Sequence, residues 1–218
     1  MTLKKVRTAI LISGRGSNMQ ALVKAARAAD YPAEIVLVAS NRPEAPGLAW
    51  AEAQGIKTVA IDHKNHATRD AFEASLQHTL EAAGTELVAL AGFMRLMTSV
   101  FVERWRDRMI NIHPSLLPSF KGLHTHERVL AAGARITGCT VHFVRPEMDE
   151  GPIIAQAAVP VLSGDTEATL AARVLAAEHA LYPAALSLVA SKRARCDGEK
   201  VIISQDLNPA APLYSPSL

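Results

Sequence analysis

A chain of 218 residues with 49% hydrophobic and 20% charged positions is long enough for one sizeable core, and its net charge of +2 is too balanced to argue for a nucleic-acid partner. Any anionic ligand must therefore be met locally. Cys139 and Cys196 lie far apart without CxxC spacing, which fits neither a disulfide scaffold nor a cysteine zinc site and points to a reducing, cytoplasmic setting. The short apolar run after Thr8 falls short of a signal sequence or membrane span, so no targeting and no membrane partner are expected.

The first signal is a continuous apolar run, Ala9 to Ile12 following Val6, of the kind that forms a central parallel strand. It stops at Ser13-Gly-Arg-Gly-Ser-Asn18, after which Ala and Leu recur at helical spacing over residues 19 to 29. A strand, a small-residue turn and a helix bring backbone N–H groups and a positive helix end to one point, ready for an anion. Ser17 or Asn18 is expected to cap that helix. A GxGxxG pattern from Gly14 would need glycine at Met19, and no GK[ST] follows, so a single phosphate monoester fits better than a dinucleotide or a nucleoside triphosphate. A tight turn without a ligand is the plainer alternative.

Strands are expected at 35–38, 58–61 and 87–91, with helices around 46–54 and 67–83 between them. This alternation implies right-handed crossovers and a parallel sheet. Ligands in such sheets sit beyond the carboxyl ends of the strands, which gathers the Gly14 to Asn18 turn, Gly92 to Met97, and the next strand end at one edge.

That next strand is Met109 to His113. Residues i and i+2 of a strand share a face, so Asn111 and His113 point together to one side while Ile110 and Ile112 pack on the other. Pro114 and Pro118 force a shaped turn directly afterwards. Gly122-Leu-His-Thr-His126 then opens a helix to about Gly133. His124 is placed near the pocket and His126 at the surface; with no third ligand nearby in sequence, no metal is expected.

Strands are read at 139–144 and 153–161, close enough in sequence to be antiparallel, so the sheet is mixed. The turn between them carries Asp149 and Glu150. The longest helix begins at Asp165 or Thr166, and Pro183 should kink or restart it. By spacing alone Glu178 is an exposed helix charge. Val201 to Ile203 reads as a last edge strand, and Pro209, Pro212 and Pro216 indicate an extended or disordered tail. The expected organisation is one domain over 1–205 with a tail over 206–218.

A His, an Asn and an Asp with no serine or cysteine nucleophile among them suit acyl transfer between small molecules, the acceptor itself attacking. An Asn111 amide can donate to an oxyanion, and a protonated His113 can hand over a proton, with Asp149 favouring the charged ring if it lies near.

Six motifs together resemble the phosphoribosylglycinamide formyltransferases: Ser13 to Asn18, Leu90-Ala-Gly-Phe-Met-Arg95, Asn111-Ile-His-Pro-Ser-Leu-Leu-Pro118, Gly122 to His126, Val141-His-Phe-Val144 and Glu178-His-Ala-Leu-Tyr-Pro183. Their order and spacing match to about residue 205. The resemblance implies a Rossmann-like α/β formyltransferase fold, a mostly parallel central sheet with antiparallel additions in the C-terminal half and helices on both faces. It implies transfer of a formyl group from 10-formyltetrahydrofolate, as cosubstrate, to the amine of glycinamide ribonucleotide in purine synthesis, by a monomer or homodimer.

By resemblance His113 is the acid/base, Asn111 contacts the oxyanion or substrate, and Asp149 supports the histidine and positions water. Gly16, Ser17 and Asn18 take the ribonucleotide phosphate, and Leu175, Ala176, Ala177 and Glu178 complete that site. Met94, Arg95, Leu96 and Met97, with Asn111 and the turn Arg145, Pro146, Glu147, Met148 and Asp149, form the folate cleft, while Arg69 falls near the folate tail. Arg15 and Glu150 depart from the pattern of some relatives. Formyltetrahydrofolate deformylase and a non-catalytic folate- or nucleotide-binding protein are the alternatives; methionyl-tRNA formyltransferase would need a further C-terminal domain and a basic surface for tRNA.

Overall fold

The computed structural model describes residues 4–204, with 213 and 215. The expected tail over 206–218 otherwise lies outside the described residues. In chain order the elements are β1 (Val6–Ile12), α1 (Ser17–Ala26), β2 (Ala33–Ser40), α2 (Pro46–Ala53), β3 (Thr58–Ala60), α3 (Arg69–Ala82), β4 (Leu87–Leu90), α4 (Ser99–Arg104), β5 (Met109–His113), α5 (Thr125–Ala131), β6 (Ile136–Phe143), β7 (Ile153–Pro160), α6 (Glu167–Ala190), β8 (Ala194–Asp197) and β9 (Lys200–Ile203).

The first seven strands form one sheet in the order β3-β2-β1-β4-β5-β6-β7. Strands β1 to β5 pair in parallel, and β5–β6 and β6–β7 are antiparallel. The α/β class and the mixed sheet are as the residue pattern implied.

Alternation along β1 explains the layering. Ile10 and Ile12 enter a core with Met19 and Leu22 of α1 and Tyr182, Ala185 and Leu186 of α6. Ala9 and Leu11 face the opposite side, with Phe72, Leu76 and Leu80 of α3 and Phe101 and Val102 of α4. Each fully buried Leu, Ile or Phe contributes about 1.5–3 kcal/mol of apolar transfer, so both faces hold the sheet in place. Strand order reverses at β1, with β2 on one side and β4 on the other. That switch point brings the loops after β1, β4 and β5 side by side.

Four local expectations need correction. The α1 cap is Gly16, at φ 68°, with no side-chain cap bond; the Asn18 side chain is drawn instead to Glu178. Helix α5 starts at Thr125 rather than Gly122, because Gly122 and His124 both have positive φ. Helix α6 is continuous from Glu167 to Ala190, so it does not restart at Pro183. There the neighbouring Tyr182 is fully buried, and the Pro183 carbonyl accepts a hydrogen bond from Tyr31, so packing holds the helix where local propensity would break it. Finally, β9 is no edge of the main sheet: it pairs with β8 in a separate two-stranded sheet. Helix α4 and strand β8, both shorter than a periodicity window, were not anticipated.

Candidate active site

Beyond the carboxyl ends of β4 and β5 lies a cavity of about 740 Å³, bordered by the 92–97 stretch, the 122–126 turn and the loop after β6. Asn111 and His113 both line it, with Ile112 between them also at its border, while Ile110 and Ile112 belong to the core cluster of α1 and α6. The i, i+2 geometry of the strand thus delivers the amide and the imidazole to one place.

His113 is 5% exposed. Its Nε2 donates to the Phe120 carbonyl at 3.0 Å, so the turn after Pro114 and Pro118 holds the ring by its far nitrogen. Its Nδ1 faces Asp149 Oδ2 at 3.4 Å, without a hydrogen bond among the described residues. Asp149 comes from the loop between β6 and β7 and sits at φ 59°, a left-handed conformation uncommon for a residue with a Cβ. The Gly122 amide fixes it there by donating to Oδ2 at 2.8 Å. A second tie between the same two loops is the exposed pair Lys121–Glu150 at 2.7 Å.

Asn111 has a partner that sequence reasoning missed. The antiparallel register sets Asn111 of β5 opposite His142 of β6. His142 is 2% exposed, and burial lowers its pKa from the ordinary histidine range, so the ring stays neutral at pH 7. Its Nδ1 donates to the Phe143 carbonyl at 3.0 Å, which leaves Nε2 as the acceptor for the Asn111 Nδ2 amide at 3.3 Å. One amide N–H is spoken for, and Asn111 borders the cavity, where the other can serve a ligand. The Val141-His-Phe-Val144 motif was the signal, but it carries no cross-strand register.

The apolar walls are Met94, Leu96, Met97, Val144 and Met148, with Leu123 across the mouth. Met94, Leu96, Leu123 and Met148 are more than half exposed, an apolar surface open to a flat ligand. Arg95 lines the cavity and stacks over Phe72 at 5.1 Å. Pro146 and Glu147 line it from the loop. Arg145 lines it too, but its guanidinium turns away to Asp107 and Glu199. Arg69 begins α3 at an exposed position and is not among the lining residues. His126, expected at the surface, is half-buried in the lining, its Nδ1 without a hydrogen-bond partner among the described residues, and burial lowers its pKa. Among the described residues no group of three His, Cys, Asp or Glu could hold a metal.

The turn after β1 forms a second polar site. Gly47 of α2 packs so closely that a Cβ there would lie 2.9 Å from the Gly14 carbonyl, and its N–H donates to that carbonyl at 3.2 Å. The first amides of α1, from Ser17 onward, have no intrahelical partner, as at any helix start. Asn18 Nδ2 donates to Glu178 Oε2 at 2.6 Å, and Asn18 Oδ1 is buried with no partner among the described residues. Glu178 is 6% exposed, and burial raises its pKa, partly offset by the Asn18 bond. The reading of Glu178 as a surface charge by spacing is therefore overturned. Leu175, Ala176 and Ala177 form the preceding turn of α6, partly open to solvent. Ser13 joins the two sites: its Oγ donates to Asn41 Oδ1 at 2.5 Å and accepts from the Met94 amide at 2.8 Å.

An anion-ready helix start thus lies beside an amide and an imidazole from β5 and a carboxylate from the β6–β7 loop, with no serine or cysteine in the Asn111, His113 and Asp149 set, an arrangement suited to acyl-group transfer. The chain belongs to the formyl transferase family, whose sequence profile matches residues 6–186. Within that family its likeness is to the phosphoribosylglycinamide formyltransferases. The Escherichia coli protein of that name is 42% identical over 84% of this chain and 87% of its own length. A crystal structure of glycinamide ribonucleotide transformylase 1 from Symbiobacterium toebii superposes with a TM-score of 0.89 at 44% identity, covering 91% of this chain and 94% of that one. The trifunctional purine biosynthetic protein adenosine-3 of Bos taurus is 53% identical over 88% of this chain, which spans 19% of that longer protein.

Proposed function

We propose that this chain transfers the formyl group of 10-formyltetrahydrofolate to the amine of glycinamide ribonucleotide, giving the formyl ribonucleotide and tetrahydrofolate. The observation that carries this is the convergence of Asn111, His113 and Asp149 on an apolar cleft, beside a helix start suited to a phosphate. Residues 1–205 are taken as one catalytic unit, because the ribonucleotide subsite joins α1 and α6 from the two ends of the chain and the folate subsite is built on β4 to β6 between them. A monomer or homodimer would serve equally, since every proposed group comes from one chain.

The methionine-rich cleft suits a flat pterin ring, and its volume falls within the roughly 300–1,000 Å³ usual for small-molecule sites. Main-chain groups of residues 94–97 and 145–149 would meet that ring. On the other side, Gly16, Ser17 and Asn18 take the phosphate, and Glu178 with the turn Leu175 to Ala177 receives the sugar. Asn18 Oδ1 supports this, because a buried acceptor without a partner calls for a donor such as a ribose hydroxyl.

The amine nitrogen attacks the formyl carbon, forming the new C–N bond. The carbonyl oxygen becomes an oxyanion, which the free Asn111 amide N–H stabilises. Proton exchange runs through His113 Nδ1, because Nε2 is occupied by the Phe120 carbonyl. The amine loses a proton, the departing folate nitrogen gains one, and the old C–N bond breaks. Asp149, facing Nδ1, stabilises the ring while it carries the extra proton and orients water for the relay. Each of these steps needs no covalent enzyme intermediate.

Incubation with 10-formyltetrahydrofolate labelled in the formyl carbon tests the assignment. Label recovered in an amide on the ribonucleotide amine is the expected result. Label recovered as free formate, with the ribonucleotide unchanged, would make the chain a hydrolase instead.

A further inference from the structure

We propose that Arg145 and Glu199 are positioning residues, which hold the neck of the Asp149 loop so that the formyl-donor cleft stays in register; this rests on the transferase reading above. The loop leaves β6 and returns to β7 through a tight neck. Phe143 N donates to the Pro152 carbonyl at 2.9 Å, and a Cβ on Gly151 would lie 1.7 Å from the Phe143 carbonyl and 3.3 Å from Arg145 Cγ. The stem of Arg145 is therefore part of the neck itself.

Its head is committed on all sides. Nε donates to Glu199 Oε2 at 2.9 Å, one terminal nitrogen to Asp107 Oδ1 at 2.8 Å, and the other to the Val144 carbonyl at 3.2 Å. The side chain is only 5% exposed. A buried guanidinium whose three nitrogens each have a partner is turned away from any ligand carboxylate in the cleft, so the arginine that borders the cleft serves the loop rather than the substrate.

Glu199 stands in the turn of the β8–β9 hairpin, after Gly198 at φ 59°, and also pairs with Arg106 at 2.5 Å. A two-stranded sheet is marginal by itself and is free to serve as a brace once packed on a larger body. From the neck outward, Pro146, Glu147 and Met148 are exposed, and the loop is next tied down at Asp149 by the Gly122 amide, with the exposed Lys121–Glu150 pair beside it. The neck and the ties at the tip thus define where Asp149 stands against His113, and the brace on the neck is supplied from the last hairpin of the described chain. Without the brace the segment 145–149 keeps its residues but loses its placement.

The test uses the full chain with Glu199→Gln and, separately, Arg145→Lys. The Glu199 side chain is 59% exposed, so its amide variant is expected to fold. Amide hydrogen exchange, read without any substrate, is expected to quicken about tenfold or more in 145–151 and to stay unchanged in β1 and α1. In steady-state transfer, KM for the formyl donor is expected to rise about five- to tenfold while KM for the ribonucleotide stays within about twofold, and Glu199→Asp to recover part of the loss. Unchanged exchange in 145–151, or a rise spread over the whole chain, would overturn the assignment, as would equal changes in both KM values. If the wild-type chain transfers no formyl group, the functional reading fails, and the exchange data still decide whether the brace holds the loop.

Discussion

His142→Phe isolates the link between fold and chemistry most cleanly, because it removes a ring nitrogen and leaves a ring. In the wild type the Phe143 carbonyl selects the tautomer and the lone pair on Nε2 holds the Asn111 amide at 3.3 Å. A neutral hydrogen bond of this kind contributes about 0.5–1.5 kcal/mol net, which corresponds to roughly a 2- to 13-fold effect if it is expressed wholly in the transition state. The ceiling is the loss of the oxyanion donor itself, about 10²–10³ in kcat, which is the expectation for Asn111→Ala. His142→Phe should therefore lower kcat by the smaller factor and lie well above Asn111→Ala. Steady-state rates of the two single variants and the double variant form the assay. If His142 acts by holding Asn111, its substitution costs almost nothing further once Asn111 is alanine. Costs that multiply in the double variant would refute the reasoning, and so would wild-type kcat in His142→Phe.

Other outcomes follow from the same geometry. His113→Ala should lower transfer by about 10²–10⁴ while ribonucleotide affinity, measured by calorimetry, stays within a few-fold, since the phosphate site lies at α1. Glu178→Gln bears on pH: burial raises the Glu178 pKa, so the folded protein binds that proton more tightly than the unfolded chain, and wild-type stability is lost as pH rises through the raised value. The glutamine variant cannot ionise and keeps the Asn18 bond, so its thermal midpoint should gain on wild type between pH 4 and pH 8 by scanning calorimetry; a constant difference would contradict the burial argument. Tyr182→Phe deletes a hydroxyl that bridges the Leu90 and Ile110 carbonyls at 2.9 and 3.2 Å, and should cost about 1–3 kcal/mol in denaturant unfolding.

What the chain order reveals and what it hides differ by the range of the interaction. The apolar run of β1 and the i, i+2 pair Asn111 and His113 are local patterns, and the sheet realises both. The Gly14 to Asn18 turn, the 92–97 stretch and the Asn111–His113 strand end come together because the parallel strands end at one edge, whereas Asp149 reaches His113 from the loop of the antiparallel pair β6 and β7, which that rule does not place. By contrast, the bond of His142 to Asn111 became visible only through cross-strand register, and the burial of Glu178, which spacing alone set at the surface, only through the packing of α6 on α1. The direction of the Arg145 side chain depended on a hairpin whose two four-residue strands are too short to carry a periodic signal. Pro183 inside α6 shows the same limit from the other side: a strong local breaker yields where Tyr182 is locked in the core.

The central claim is that a ribonucleotide amine, rather than water, takes the formyl group at His113. Release of tetrahydrofolate from 10-formyltetrahydrofolate by the purified chain, followed with and without glycinamide ribonucleotide, tests it most directly. Release that requires the ribonucleotide is the predicted result. Equal release in both mixtures, or none in either when both ligands bind, would contradict it.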